Sequence, residues 1–394
     1  MRIAPAIACF LMLSSCASLP DQPAPPASVA VIFDAENTEP VIVEGLADRA
    51  TGRAVAANDP VRIASISKLV MALAALRLAD EGTLDLNADV SGYLGWQVRN
   101  PAYPEVPVTL AQILSHRSGL RDDAGYVIPL GESLAAKLAE PGAWYAEAPP
   151  GEAPFEYANL GSPVVATVLE AASGERYDRL VDRLVFAPLE IDACLNWIGC
   201  EDATIARAVT LYRSTGEVAR DDSADLPPNC TFPVADGIEC SLEAYVPGTN
   251  ASIFSPQGGV RIGMMDLARI GAALLREDER LLSPEGYRQL KRRFPPIEGS
   301  APNFCFYALG VHTLYPGLGG CGDDLFPDAM RRYGHAGEAY GLRSGLWMAE
   351  DERSGIAYFT TAVPDRTAPD EGGFAPEEIA LVRRAMEKAG KTGK

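Results

Sequence analysis

Short runs of alternating or β-branched apolar residues at 29–33, 41–44 and 61–64 predict strands. The period changes at Ser65, where apolar side chains crowd the stretch to Asp80 and predict the first long helix. From 109 to about 188 the pattern stays helical, most clearly over 162–172 and 176–185, whereas 194–250 shows no sustained period and reads as loop. Beyond Gly259, helices are predicted at 264–276 and 284–292, strands near 305–313, 342–349 and 355–362, and a closing helix at 376–389. Strands at both ends with helices between imply an α/β fold, an antiparallel sheet flanked by helices beside an inserted helical lobe. The sheet lobe is drawn from about 29–64 and 255–390 and the helical lobe from about 80–250, with the expected site in the cleft between them.

The first residues break this pattern. Met1-Arg2 and a brief apolar run over 3–13 are too short to span a bilayer and read as a signal peptide, residues 1–15. It ends in Leu13-Ser14-Ser15-Cys16, which resembles a bacterial lipobox with Cys16 as the lipidated residue; an ordinary cleaved signal with an incidental cysteine is the alternative. Residues 16–28, rich in proline from Pro20 to Pro26, suit an extended tether. The expected location is periplasmic and membrane-anchored, at the outer membrane in a Gram-negative host.

Cysteine usage agrees with export. Setting Cys9 and Cys16 aside leaves Cys194, Cys200, Cys230, Cys240, Cys305 and Cys321. Fifteen connectivities are open to six cysteines, and closeness in sequence favours the neighbour pairs 194–200, 230–240 and 305–321. Zinc is the competing reading, weakened because no C-x-x-C is present. A formal net charge of −19 argues against a nucleic-acid partner, whose phosphates it would repel.

Candidate chemistry centres on Ser65-Ile66-Ser67-Lys68, the chain's S-x-x-K. Three residues make about one helical turn, so the Ser65 hydroxyl and the Lys68 amine share a face. Serine attacks only when a neighbouring base takes its proton, and a lysine withdrawn from water can be that base. A capping serine followed by a surface lysine is the plainer alternative. Further on come Tyr157-Ala158-Asn159, a Y-x-N, and the glycine-flanked histidine of Tyr333-Gly334-His335-Ala336-Gly337-Glu338.

These three elements, in this order, resemble the active-site triplet of the penicillin-recognising serine hydrolases: class C and other serine β-lactamases, D-alanyl-D-alanine carboxypeptidases and related esterases. Segments 61–94, 108–120, 155–174 and 255–267 are similar to the family's nucleophile helix, its "LLsHtSGL" stretch, its "YsN…G…iE…sG" stretch and its "sPaGGl…Dla" stretch. The resemblance covers about 29 to 385, is weakest over 194–250, and implies a β-lactamase-like (DD-peptidase) domain at 29–390. It also implies roles. Ser65 is the acyl-accepting nucleophile, Lys68 and Tyr157 share the proton transfers with the base left open between them, and Asn159 meets the substrate amide or orients Lys68. The Ser65 and Glu338 N–H groups, the latter just after Gly337, form the oxyanion hole. Where many relatives carry lysine, this chain has His335, a weaker anchor for a substrate carboxylate that titrates near neutrality if unperturbed.

Arg343 is a candidate carboxylate clamp or else an ordinary surface arginine. His116 is expected to fix a loop and His312 to lie in the core or cleft wall. No G-x-S-x-G, H-E-x-x-H or Walker lysine motif is present, and Gly317 to Gly322 matches G-x-G-x-x-G without a helix to follow it. The reading is therefore a serine hydrolase acting without metal or cofactor on a small ester or D-amino-acid peptide or amide. A β-lactamase, or a non-catalytic peptidoglycan- or partner-binding lipoprotein, is the alternative.

Overall fold

The structure is a computed structural model and describes residues 26–219, 230–292, 305–318, 321–351, 353–364 and 373–392. The signal, Cys16, most of the tether, and Gly319 and Gly320 of the glycine-rich run lie outside them. Eleven strands are described: β1 (Ser28–Phe33), β2 (Thr38–Glu44), β3 (Leu46–Asp48), β4 (Arg53–Ala54), β5 (Val61–Arg62), β6 (Ala193–Leu195), β7 (Val260–Ile262), β8 (His312–Leu314), β9 (Arg332–Ala339), β10 (Leu342–Ala349) and β11 (Gly355–Thr360). Six of them form the main sheet in the order β2-β1-β11-β10-β9-β8, every neighbouring pair antiparallel. Because β1 pairs with β11, with Val29 opposite Phe359, the two ends of the domain complete one sheet.

Both faces of that sheet are covered, and so β1 and β10 read as nearly unbroken buried runs. One face packs against a helix near Met264; the other is closed by the last helix of the chain, through Leu381, Val382 and Ala385 against Trp347, Ile356 and Tyr358. The intervening chain carries α2 (Ser91–Leu94), α3 (Leu110–Leu114), α4 (Leu134–Leu138), α5 (Gly161–Ser173), α6 (Tyr177–Val181) and α7 (Asp202–Ala206). Then come α8 (Met264–Leu275), α9 (Pro284–Leu290) and α10 (Pro376–Thr392). α1 (Ser67–Asp80) is apolar almost all round, as a helix buried among α5, α6 and α9 must be.

Several predicted elements shift. The helix expected from Ser65 begins at Ser67, after a 3-10 turn over Ala64–Ile66. The strand expected at 305–313 is confined to β8, since Gly310 turns the chain at φ +67° and drives its backbone against Lys68 and Leu114. β9, which carries His335, was not anticipated. The six cysteines from Cys194 to Cys321 form the neighbour disulfides Cys194–Cys200, Cys230–Cys240 and Cys305–Cys321, so none of these six is a free thiolate for zinc.

Candidate active site

Ser65 sits half-buried in the 3-10 turn, directly after Ala64, whose φ of +47° is in the left-handed region that non-glycine residues rarely enter. The turn is clamped from two sides. Ile63 donates its N–H to the Val260 carbonyl and the Val260 N–H is taken up by Ser67 Oγ, tying the turn to β7. From the other side Ser344 Oγ donates to the Ile63 carbonyl, and Gly337, opposite Ser344 in the β9–β10 ladder, has no room for a side chain because a Cβ would lie 2.2 Å from that same oxygen. β9 is thereby pressed against the nucleophile turn.

Lys68, 2% exposed, projects from the first turn of α1 with Nζ 3.3 Å from Ser65 Oγ. It donates to Asn159 Oδ1 at 2.7 Å and reaches the Gln257 carbonyl at 3.4 Å. Burial pulls its pKa down to about 7, and the charge of Asp122 resists that fall. Asp122, which sequence reasoning missed, accepts from the Asn159 N–H and Nδ2 and from the Leu160 N–H, so the Asn159 amide can only present its oxygen to Lys68. Tyr157 shares a hydrogen bond with Ser65, and its ring centroid is 4.6 Å from Lys68 Nζ. Burial pushes the phenol well above its usual pKa, against the influence of the Ser65 hydrogen bond, so Tyr157 stays protonated at neutral pH.

The three motifs meet through aromatic contacts. The His116 ring centroid lies 4.5 Å from that of Tyr157; its Nδ1 accepts the Ala158 N–H and its carbonyl accepts the Glu156 N–H, which anchors the Y-x-N segment. Tyr307, also missed from sequence, packs against His116, Phe155, Tyr157 and His335. Its hydroxyl is 2.9 Å from His335 Nε2, while His335 Nδ1 is 2.6 Å from the Ala336 carbonyl. A carbonyl can only accept, so Nδ1 carries the proton and Tyr307 donates to Nε2. His335 is 2% exposed, and burial with the nearby Lys68 charge holds its pKa down to about 3. The near-neutral titration expected from its residue type is therefore corrected: the imidazole is neutral with both nitrogens occupied.

A cavity of about 240 Å³ opens beside Ser65 and runs along β9 to the start of α10. Tyr157, His335, Glu338, Arg343 and Phe374 are among its walls. Arg343 is no surface arginine. It is 4% exposed and ion-paired with Glu338 at 2.6 Å. His312, buried in β8, stands 3.7 Å from Asp323 and packs on Trp347 at the cavity wall.

Among known proteins, the Beta-lactamase family model matches residues 22–376. The chain is 34% identical over 143 residues to the D-alanyl-D-alanine-carboxypeptidase/endopeptidase AmpH of Escherichia coli K12, covering 33% of this chain and 34% of AmpH. It is 34% identical over 165 residues to the esterase EstB of Burkholderia gladioli, covering 38% of this chain and 42% of EstB. These stretches span less than half the length of either relative. The crystal structure of a D-amino acid amidase from Ochrobactrum anthropi SV3 superposes with a TM-score of 0.66 at 19% identity over 93% of this chain and 95% of that one. With its fold shared almost end to end and the family model aligned across all three motifs, the chain belongs to the Beta-lactamase family.

Proposed function

We propose that this protein is an exported serine hydrolase that forms an acyl-enzyme at Ser65 on a small ester or on a D-amino-acid amide or peptide. The observation that carries this reading is the buried Lys68 amine, 3.3 Å from Ser65 Oγ and with its pKa drawn to about 7, where a useful fraction is unprotonated. Lys68 takes the Ser65 proton as Oγ attacks the carbonyl carbon. Tyr157, held as a neutral phenol, hands a proton to the departing group and recovers it through Lys68. The Ser65 and Glu338 backbone N–H groups receive the oxyanion, and water then releases the acyl group by the reverse sequence. Asn159 and Asp122 hold Lys68 on line.

The named relatives, an esterase, a carboxypeptidase/endopeptidase and a D-amino acid amidase, support this range of substrates. A neutral His335 with both nitrogens engaged is a poor carboxylate anchor, which supports reading ester and amide hydrolysis ahead of β-lactam turnover. Lipid attachment at Cys16 belongs to the same proposal, and the three disulfides support an oxidising compartment.

The test is covalent labelling by a fluorophosphonate, read by intact mass. Wild type should gain one adduct, on Ser65; Ser65→Ala should gain none, and Lys68→Ala should acylate about 10²-fold more slowly, the scale of a lost general base. Absence of label on wild type would leave a binding module as the better reading.

A further inference from the structure

Arg343 is the guanidinium among the described residues of the cavity wall, and its surroundings decide what that charge can do. It stands opposite Glu338 in the β9–β10 ladder, with Nη2 2.6 Å from Glu338 Oε1 and Nη1 donating to the Leu342 carbonyl. The Nη2 contact is close but lies off the hydrogen-bonding direction, so charge rather than a directed bond holds the pair. A second carboxylate, Glu378 of α10, also lines the cavity; Tyr358 donates to it at 2.6 Å, and Arg343 acts on it electrostatically. The other basic groups nearby are committed. Lys68 is held by Ser65, Asn159 and the Gln257 carbonyl, both His335 nitrogens are used, and His312 faces Asp323.

A substrate carboxylate entering here meets one cation already flanked by two acids. We propose that Glu338 is a specificity-determining residue: by pairing with Arg343 it withholds the guanidinium from the substrate, so the cleft takes neutral esters and amides and refuses groups that bring a carboxylate beside the scissile bond. The inference rests on the serine-hydrolase reading and names its substrate class. The Glu338 side chain is 57% exposed, reachable by water and substrate, whereas Arg343 is buried behind it. Removing the acid's charge therefore leaves the guanidinium charge uncompensated at the cavity wall, where it attracts a substrate carboxylate.

The experiment compares kcat/KM for two matched aryl acetates, one neutral and one with a carboxylate on the ring beside the ester. Wild type should prefer the neutral ester by about tenfold, the scale of one misplaced charge. Glu338→Gln should raise the carboxylate-to-neutral ratio about fivefold or more, and Arg343→Gln in that background should return it. A counter-ion role alone would lower both substrates together and leave the ratio fixed, which overturns the proposal. So does a wild type indifferent to the carboxylate, a result needing no variant. Where turnover is slow, the same esters are read as competitors of fluorophosphonate labelling. Unlabelled Ser65 sinks the hydrolase reading and this inference with it; labelled Ser65 with an unmoved ratio sinks this inference alone.

Discussion

Lys68 shows how one residue becomes a base by losing water. An exposed lysine is protonated throughout the physiological range, but burial at the root of α1 brings Lys68 to about 7 while the neighbouring Asp122 charge pulls the other way. The base must be unprotonated to act, so kcat/KM on a neutral ester should rise with pH through about 7 and level off above it. Asp122→Asn removes the charge that favours the ammonium and should move the midpoint to lower pH. Glu378, raised by burial to about 7 in the same cleft, titrates over the same range, so the inflection must survive Glu378→Gln. A rate that is flat from pH 5 to 9 in the wild type would remove Lys68 from the role of base. At this scale the sequence was informative where chemistry sits at short spacing: Ser65 with Lys68 and Tyr157 with Asn159 could be read directly. Asp122 and Tyr307 could not, because they reach the site only after distant segments fold together. The type of His335 was legible, but its protonation depends on Tyr307 and on burial.

Elements were legible where one periodicity dominates. β1, β10, α1 and α8 follow apolar patterns that their neighbours reinforce, whereas β9 reads Arg-Tyr-Gly-His-Ala-Gly-Glu-Ala, with glycines where alternation needs side chains. Its strand state comes from β10 and β8 on either side, and its glycines serve close approach, as Gly337 does against Ile63. The segment from Cys305 to Cys321 is the converse case, apolar enough to suggest a strand yet bent by Gly310 and closed by a disulfide. That clip closes the segment that carries both Tyr307 and His312. Replacing Cys305 and Cys321 by serine should therefore cost about 3 kcal/mol of stability and also lower kcat/KM. The same change at Cys194 and Cys200, where β6 meets β7 away from the cavity, should cost stability with much less effect on rate. Calorimetry with kcat/KM on one ester separates the two, and equal rates in both variants would deny the Cys305–Cys321 clip any part in positioning Tyr307.

For the whole molecule, a formal net charge of −19 is added to a cavity where Arg343 already meets two carboxylates, Glu338 and Glu378. Two effects then oppose an anionic substrate: the diffuse field of the surface, and the local denial of Arg343 by Glu338. They differ in range. The screening length is about 30 Å at 0.01 M salt and about 8 Å at 0.15 M, so salt should abolish most of the first and little of the second, because Arg343 is buried. Raising salt over that interval should increase kcat/KM for the carboxylate ester while the neutral ester stays unchanged. The preference for the neutral ester should then settle at a residual value, and that residual should be what Glu338→Gln reduces. A preference that vanishes entirely at 0.15 M salt would assign the discrimination to the surface field, leaving the Glu338–Arg343 pair as a contact that only stabilises the fold.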